Sequence, residues 1–124
     1  MEQEQYTNIN EETQRFLEVV RGSYAYNRFE RAKEMMKDHA DKKAVIDEFR
    51  ERSYLLSNSS EPLDHMDELE ELFVTRRHIR MDPMIDEYLT AEHEYCRMIR
   101  QICAELMSLA DVEIEAFEDR IRVM

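Results

Sequence analysis

The sequence predicts an all-α protein, an elongated antiparallel bundle of four to five helices with a long C-terminal helix, which oligomerises. The 124 residues include one Gly and two Pro, too few for the turns of a β-protein. Charged residues make up 37% of the chain, and apolar side chains recur at three- and four-residue steps. Neither Gly nor Pro occurs from Met84 to Met124, so the last helix has nothing to stop it early.

The N-terminal part predicts a lead-in and two helices. Residues 1–10 are acidic and polar, and we expect a flexible lead-in there, followed by one helical domain over residues 11–124. A short helix from Glu11 should end at Gly22, the only glycine, in a left-handed C-terminal cap. Ser23 is then expected to cap the second helix.

The middle of the chain predicts a helical hairpin. Asp41 is expected to cap the third helix, the polar run Ser57–Ser60 forms the loop, and the fourth helix begins at Ser60 and Pro62. Because short connections make sequential helices antiparallel neighbours, the chain should reverse there. The expected inward residues are Val45, Ile46, Phe49, Tyr54 and Leu56 on the third helix, and Leu63, Met66, Leu69, Phe73 and Ile79 on the fourth.

The long helix begins at Asp82, which can cap it, with Pro83 at the first helical position. A helix of roughly 30 to 38 residues would be about 45 to 57 Å long. A compact domain of this size has a radius of gyration of only about 14 Å, so a second subunit should cover the overhanging part. The expected partner or oligomer interface consists of Tyr88, Leu89, Glu92, Tyr95, Ile99, Ile102 and Leu106.

Glu92 interrupts the apolar stripe of this helix. A charge at that position needs a partner, and Arg76, Arg77 or Arg50 could reach it from a neighbouring helix. In that case Glu92 fixes register or contacts a partner. The alternative is that the edge of the apolar stripe is exposed to solvent at Glu92.

Charge and hydropathy exclude several classes of protein. Seventeen basic against 29 acidic residues give a net charge of −12, which repels phosphate backbones and argues against direct nucleic-acid binding. The N-terminus has neither the basic start nor the apolar core of a secretory signal, and no apolar run approaches the ~20 residues of a membrane span. We therefore expect a cytoplasmic protein without membrane contact.

Metal and catalytic motifs are missing from the sequence. Glu-x-x-His and His-Glu-x-x-His do not occur, and neither a nucleophile with its base nor a phosphate-binding glycine loop is recognisable. We expect no enzyme, no cofactor and no small-molecule substrate, and surface or helix-end roles for His39, His65, His78 and His93.

Cys96 and Cys103 lie seven residues apart on one helical face, about 10 Å along the axis, which is too far for a disulfide between them. We expect both to be reduced and packed as small hydrophobic residues. The alternative function is a metal- or iron–sulfur-cluster-binding helical protein that uses both cysteines across a dimer.

The segment from Thr75 to Arg80 is the one dense basic cluster. At a helix C-terminus, cations need no further explanation, because they oppose the negative end of the dipole. Alternatively, Arg76, Arg77 and Arg80 form a patch for an acidic partner.

The segment DPMIDEYLTAEHEYCRMIRQI resembles the YlbF/YmcA family of small bacterial regulators. A second similarity lies in DKKAVIDEFRE, and the resemblance spans roughly Glu12 to Leu109. The matching positions are Asp82, Pro83, Ile85, Tyr88, Leu89, Ala91 and Glu92 in the first motif, and Asp41, Ala44 and Phe49 in the second.

The resemblance implies an all-helical cytosolic adaptor that forms homodimers or hetero-oligomers with paralogues. Members are associated with competence, biofilm formation, sporulation and a complex that modulates ribonuclease Y in mRNA processing. Some members bind an iron–sulfur cluster through cysteines near the C-terminus, whereas this chain ends AFEDRIRVM. The expectation is a non-enzymatic regulatory adaptor that acts through protein–protein contacts.

Overall fold

A computed structural model of the chain describes residues 2–60 and 65–110, with side chains from Asn8 onward. This part of the chain folds into five α-helices and contains no strand. They are α1 (Glu2–Arg21), α2 (Tyr24–Met36), α3 (Ala40–Ser57), α4 (Met66–Ile79) and α5 (Pro83–Leu109). The predicted all-α bundle with a long C-terminal helix is confirmed. Pro62 and Leu63, predicted for the start of α4, lie outside the described residues.

Helix α2 packs along α5 in the antiparallel direction. The ring of Tyr26, near the start of α2, lies 5.8 Å from the ring of Tyr95, and the ring of Phe29 lies 5.7 Å from that of Tyr88. Two turns after Phe29 on α2, Met36 packs with Ile85 in the first turn of α5. Contacts therefore move toward the start of α5 as α2 proceeds.

Helix α1 lies beyond α2 and faces the second half of α5 across a groove, without the close packing that joins α2 to α5. Residues Asn8 to Phe16 of α1 line one groove with Ile102 to Leu109 of α5. Since α1 and α2 contact each other only sparsely, they follow one another along α5 rather than folding back on each other. At 1.5 Å per residue the 27 residues of α5 span about 40 Å, and α2 covers only the first half.

The core lies where the other four helices converge. Its buried residues are Met36, Ile46, Ile79 and Ile85, one each from α2, α3, α4 and α5. Ile46 is only 2% exposed. Beyond this point α3 and α4 continue as a hairpin, which buries Leu56 and Leu72.

Two predicted helix starts are confirmed. The Ser23 hydroxyl accepts a hydrogen bond from the Tyr26 N–H at 3.2 Å. The Asp82 carboxylate accepts hydrogen bonds from the N–H groups of Met84 and Ile85 at 2.9 and 3.4 Å, with Pro83 at the first position. Each of these two side chains accepts hydrogen bonds from backbone N–H groups that have no partner inside the helix.

Other predicted boundaries are wrong. Helix α1 begins at Glu2 instead of Glu11. Gly22 is not left-handed; its N–H bonds back to the carbonyls of Glu18 and Val19. Helix α3 begins at Ala40, which places Asp41 in its first turn instead of at the cap. The N-cap and the first turn both favour acidic residues, because both lie at the positive end of the helix dipole.

Several predicted inward positions are also wrong. Tyr54 and Phe73 are 68% and 61% exposed, whereas Leu72, which was not among the predicted positions, is buried. Val45 and Met66 are exposed as well. Beyond the core, the outer parts of α3 and α4 pack mainly against each other, so only one row of side chains is covered there.

Replacing Ile46 by Ala should lower the free energy of unfolding by about 2 to 5 kcal/mol, because the substitution opens a cavity where four helices meet. Val45→Ala is the matched control, because Val45 precedes Ile46 on α3 but is 44% exposed. Its replacement should lower the free energy of unfolding by well under half as much. Urea unfolding of both variants at one protein concentration measures the difference. Equal losses would contradict the position of the core.

Candidate protein interaction surface

One face of α5 is occupied by α2 through aromatic contacts. Phe29 lies between two tyrosines of α5, with ring centroids 5.7 Å from Tyr88 and 5.6 Å from Tyr95. Tyr26 meets Tyr95 edge-on at 5.8 Å. Tilted and edge-to-face rings at this separation attract one another beyond the burial of their area. Tyr88 and Tyr95 therefore serve the fold of their own chain.

An ion pair borders this aromatic contact. Arg28 donates from Nε and Nη2 to the two carboxylate oxygens of Glu87, at 2.7 and 2.9 Å. The hydrogen bonds raise the pKa of Arg28 and lower the pKa of Glu87. Two parallel bonds from a planar guanidinium restrict the sliding of α2 along α5.

The adjacent face of α5 is covered by α3, but only as far as Glu92. Lys42 in the first turn of α3 pairs with Asp82 at 2.9 Å, and Arg50 two turns later pairs with Glu92. Of the three arginines proposed for Glu92, the structure thus assigns Arg50. Leu89, between these two pairs, packs against the core.

Past Glu92, the same face of α5 is open. Cys96, Cys103 and Leu106 are exposed, and Ile99 is half-buried. The two cysteines are free, as predicted, but their predicted packing as small hydrophobic residues is wrong. Both cysteines lie beyond Glu92, where α3 pairs with α5 through Arg50, and both are exposed.

A second open surface lies between α1 and α5, and we call it the arm groove. Ile9, Leu106 and Leu109 are 61%, 61% and 83% exposed, and Phe16 is 44% exposed. The groove is lined by Asn8, Ile9, Glu12, Thr13, Phe16, Ile102, Glu105, Leu106 and Leu109.

Exposed apolar side chains outnumber the buried ones in the described chain. Among the described residues, eight hydrophobic residues are buried and sixteen large hydrophobic residues are exposed. Single exposed apolar residues are ordinary, whereas a contiguous apolar groove marks a site of contact with another molecule. The arm groove is therefore the candidate site of contact in the described chain.

The predicted interface residues divide into two groups. Tyr88, Leu89, Glu92 and Tyr95 contact other helices of their own chain. Ile99, Ile102 and Leu106 lie further along α5, where the chain leaves them partly or largely open. Sequence reasoning missed Ile9, because α1 was expected to begin after it. Its seven-residue spacing to Phe16 was the available signal.

The predicted arginine patch is only partly free. Arg80 donates to Asp86 at 2.9 Å and is half-buried. Arg76 and Arg77 are exposed, and together with Phe73 and Met81 they line a small surface at the end of α4. The patch therefore combines two exposed cations with apolar side chains that are 61% and 78% exposed.

Metal ligands are not clustered in this part of the molecule. Residues 2–60 and 65–110 contain no group of three or more His, Cys, Asp or Glu side chains placed to hold a metal ion. Among the described helices, none combines the length and apolarity needed for a membrane span.

The described chain is an all-helical bundle with a small core, open apolar grooves and a long C-terminal helix. A family model described as control of competence regulator ComK, YlbF/YmcA, matches residues 3–108. The chain belongs to this family of regulators, as its motifs indicated. No curated protein and no solved structure matches the chain.

The Asp82 carboxylate should make stability depend on pH. Its hydrogen bond with Lys42, followed by those from the backbone N–H groups of Met84 and Ile85, lowers its pKa in the folded protein. A lowered pKa means stabilisation that is fully present above the unfolded value of about 4 and lost as the pH falls through the folded value. Asp82→Asn should therefore lower the melting temperature by a few degrees at neutral pH.

The difference between Asp82→Asn and the unchanged protein should shrink as the pH falls below about 4. Asp47→Asn, at an exposed position in the middle of α3, is the control and should show little difference at either pH. Thermal unfolding at several pH values measures both variants. A difference between Asp82→Asn and the unchanged protein that stays constant with pH would contradict the role of the charge.

Proposed function

We propose that the protein is a non-enzymatic regulatory adaptor that works in the cytoplasm through protein–protein contacts in an oligomer. Membership of the YlbF/YmcA family supports a regulatory role. The observation that carries the proposal is the arm groove, because it exposes contiguous apolar side chains on a scaffold with few buried ones. The oligomer is a homodimer or a hetero-oligomer with paralogues.

Electrostatics favours protein partners over nucleic acid. A net charge of −12 disfavours approach to a phosphate backbone, so an effect on RNA would pass through another protein. A ribonuclease-regulating complex, which the family resemblance implies, fits this arrangement. The protein's own contribution is to bind and position its partners.

The arginine patch supports a second kind of contact within the same function. Arg76 and Arg77 sit beside Phe73 and Met81, so this surface suits a partner segment that carries acidic residues around an apolar one. It lies at the end of α4, away from the C-terminal half of α5. An oligomer formed through the arm groove would leave it available.

We expect a dimer or larger assembly at micromolar concentration, measured by light scattering. Leu106→Gln should weaken self-association by about tenfold or more, because it places a polar amide in the apolar groove. Val74→Gln is the matched control, since both original side chains are 61% exposed and Val74 lies on α4. A strictly monomeric mass for the unchanged protein would count against the oligomer.

Reversing the charge of the arginine patch should abolish the binding of partner proteins without affecting self-association. Affinity purification from the native cell with the Arg76→Glu and Arg77→Glu double variant is expected to lose binding partners that the unchanged protein retains. Lys37→Glu combined with Lys43→Glu, at exposed sites after α2 and on α3, changes the net charge by the same amount and is the control. Identical sets of retained proteins would show that the patch makes no such contact.

A further inference from the structure

The face of α5 on which Glu92 meets α3 carries a row of side chains at four-residue steps. Glu92, Cys96 and Arg100 line one surface depression, and His93 and Ile99 line it with them. Residues four apart on an α-helix form a ridge along its surface. We call the row of Glu92, Cys96 and Arg100 the α5 ridge.

The α5 ridge carries opposite charges at its two ends. Glu92 is half-buried and Arg100 is exposed, and they lie eight residues apart, about 12 Å along the helix axis. This distance exceeds the Debye length of about 8 Å at physiological ionic strength, so salt largely screens one charge from the other. Cys96 lies at the midpoint and is exposed. Each end therefore presents its own charge to a molecule that lies across the ridge.

Both charged groups can bind a second partner. Arg50 donates to Oε1 of Glu92, and a carboxylate accepts hydrogen bonds at both of its oxygens. Arg100 donates from Nε to the carbonyl of Cys96 at 3.4 Å, which does not use the two terminal nitrogens of its guanidinium. The α5 ridge therefore offers an acceptor at one end and donors at the other.

We propose that the α5 ridges of two copies of the chain cross in an antiparallel sense, with Cys96 of each copy at the two-fold axis. This inference rests on the proposed oligomer and names one contact within it. Glu92 of each copy then meets Arg100 of the other, because the two residues lie four positions from Cys96 on opposite sides. The two-fold axis makes the two ion pairs equivalent, as a symmetric dimer requires.

The charges of the α5 ridge select both the occupant and its direction. A parallel pair would bring Glu92 against Glu92 and Arg100 against Arg100, and like charges held opposite one another disfavour an interface. A second copy turned end for end satisfies both charges at once. An unrelated partner would need a cation and a carboxylate at the same spacing in the reverse order, which a second copy carries already.

A crossing geometry fits the surroundings of the ridge. Helix α3 pairs with α5 at Asp82 and at Glu92, so a second helix lying lengthwise on this face would meet α3. Ridges at four-residue steps pack against one another at a crossing angle of about 50°, and helices at this angle diverge on both sides of the contact. The contact is thereby confined to the α5 ridge. The short side chain of Cys96 lets the two backbones approach closely at the crossing point.

The α5 ridge and the arm groove lie on different faces of α5. Ile102, Leu106 and Leu109 line the arm groove, and none of them lines the depression at the ridge. A second copy at the ridge therefore leaves the arm groove to a further copy or to a paralogue. An assembly that uses both surfaces is larger than a dimer.

Thiol cross-linking tests the position of the two-fold axis. Diamide oxidises two thiols that meet across the axis to a disulfide and takes up their two electrons and two protons. Such a bridge requires Cα atoms within about 7 Å, which the crossing provides for Cys96. The Cys103 residues of the two copies would lie about 20 Å apart, since each is seven residues from the crossing point.

Two single-cysteine variants separate this contact from chance collisions. Cys103→Ala keeps Cys96 and should form a cross-linked dimer about tenfold faster than Cys96→Ala, because the contact holds the two thiols at high effective concentration. Both thiols are exposed in a single copy, so accidental encounters would cross-link the two variants equally. Alkylation with a small reagent corrects for the reactivity of each thiol. Equal rates, or a faster rate through Cys103, overturn the proposal.

Arg100→Glu tests the charge pairing. It turns both ion pairs into like-charge pairs and should slow cross-linking through Cys96 about tenfold. Arg97→Glu is the matched control, because it makes the same change in net charge at an exposed site of α5 that does not line the depression. A triple variant with Arg50→Glu, Glu92→Arg and Arg100→Glu inverts the whole set, keeps an ion pair with α3 and should restore the cross-link.

Light scattering on the unchanged protein separates this inference from the proposed function. An oligomer that does not cross-link selectively through Cys96, or in which Arg100→Glu behaves as Arg97→Glu does, overturns the crossing at the α5 ridge and leaves the adaptor function in place. A strictly monomeric protein overturns the proposed oligomer as well. Circular dichroism confirms that each variant is helical, so that a lost cross-link reports the contact.

Discussion

Helix α5 presents apolar side chains on two adjacent faces, and the described chain covers them only along the first half. Helix α2 occupies one face through Tyr88 and Tyr95, and α3 leaves the other at Glu92. Each remaining element is placed by this helix: α1 continues the line of α2, and the α3–α4 hairpin branches from the core. The described helices therefore leave the second half of this helix, which is about 40 Å long, largely uncovered.

The covered half of α5 is held in register by directional contacts. Rings about 5.7 Å apart and the two-bond pair between Arg28 and Glu87 restrict sliding, which apolar packing alone resists poorly. Lys42 and Arg50 tie α3 to the same helix. Because no described polar residue is buried, these contacts stabilise the bundle from its rim while Ile46 and its neighbours fill a small core.

A small core with long open grooves suits a protein that regulates others by contact. The YlbF/YmcA family, to which the chain belongs, is described as regulatory. The arm groove and the arginine patch lie on different elements, so a second copy and another partner would not compete for one surface.

The sequence by itself determined the class of fold, the caps at Ser23 and Asp82, and the family, because these depend on residues close together in the chain. It also limited the partner of Glu92 to three arginines. Only the tertiary structure decided that Arg50 is that partner, that Leu72 is buried while Phe73 is exposed, and that Cys96 and Cys103 are uncovered. Helical periodicity shows which face of a helix is apolar. Whether a residue on that face is buried depends on where the neighbouring helix ends, and the residues close to it in the sequence do not encode that end.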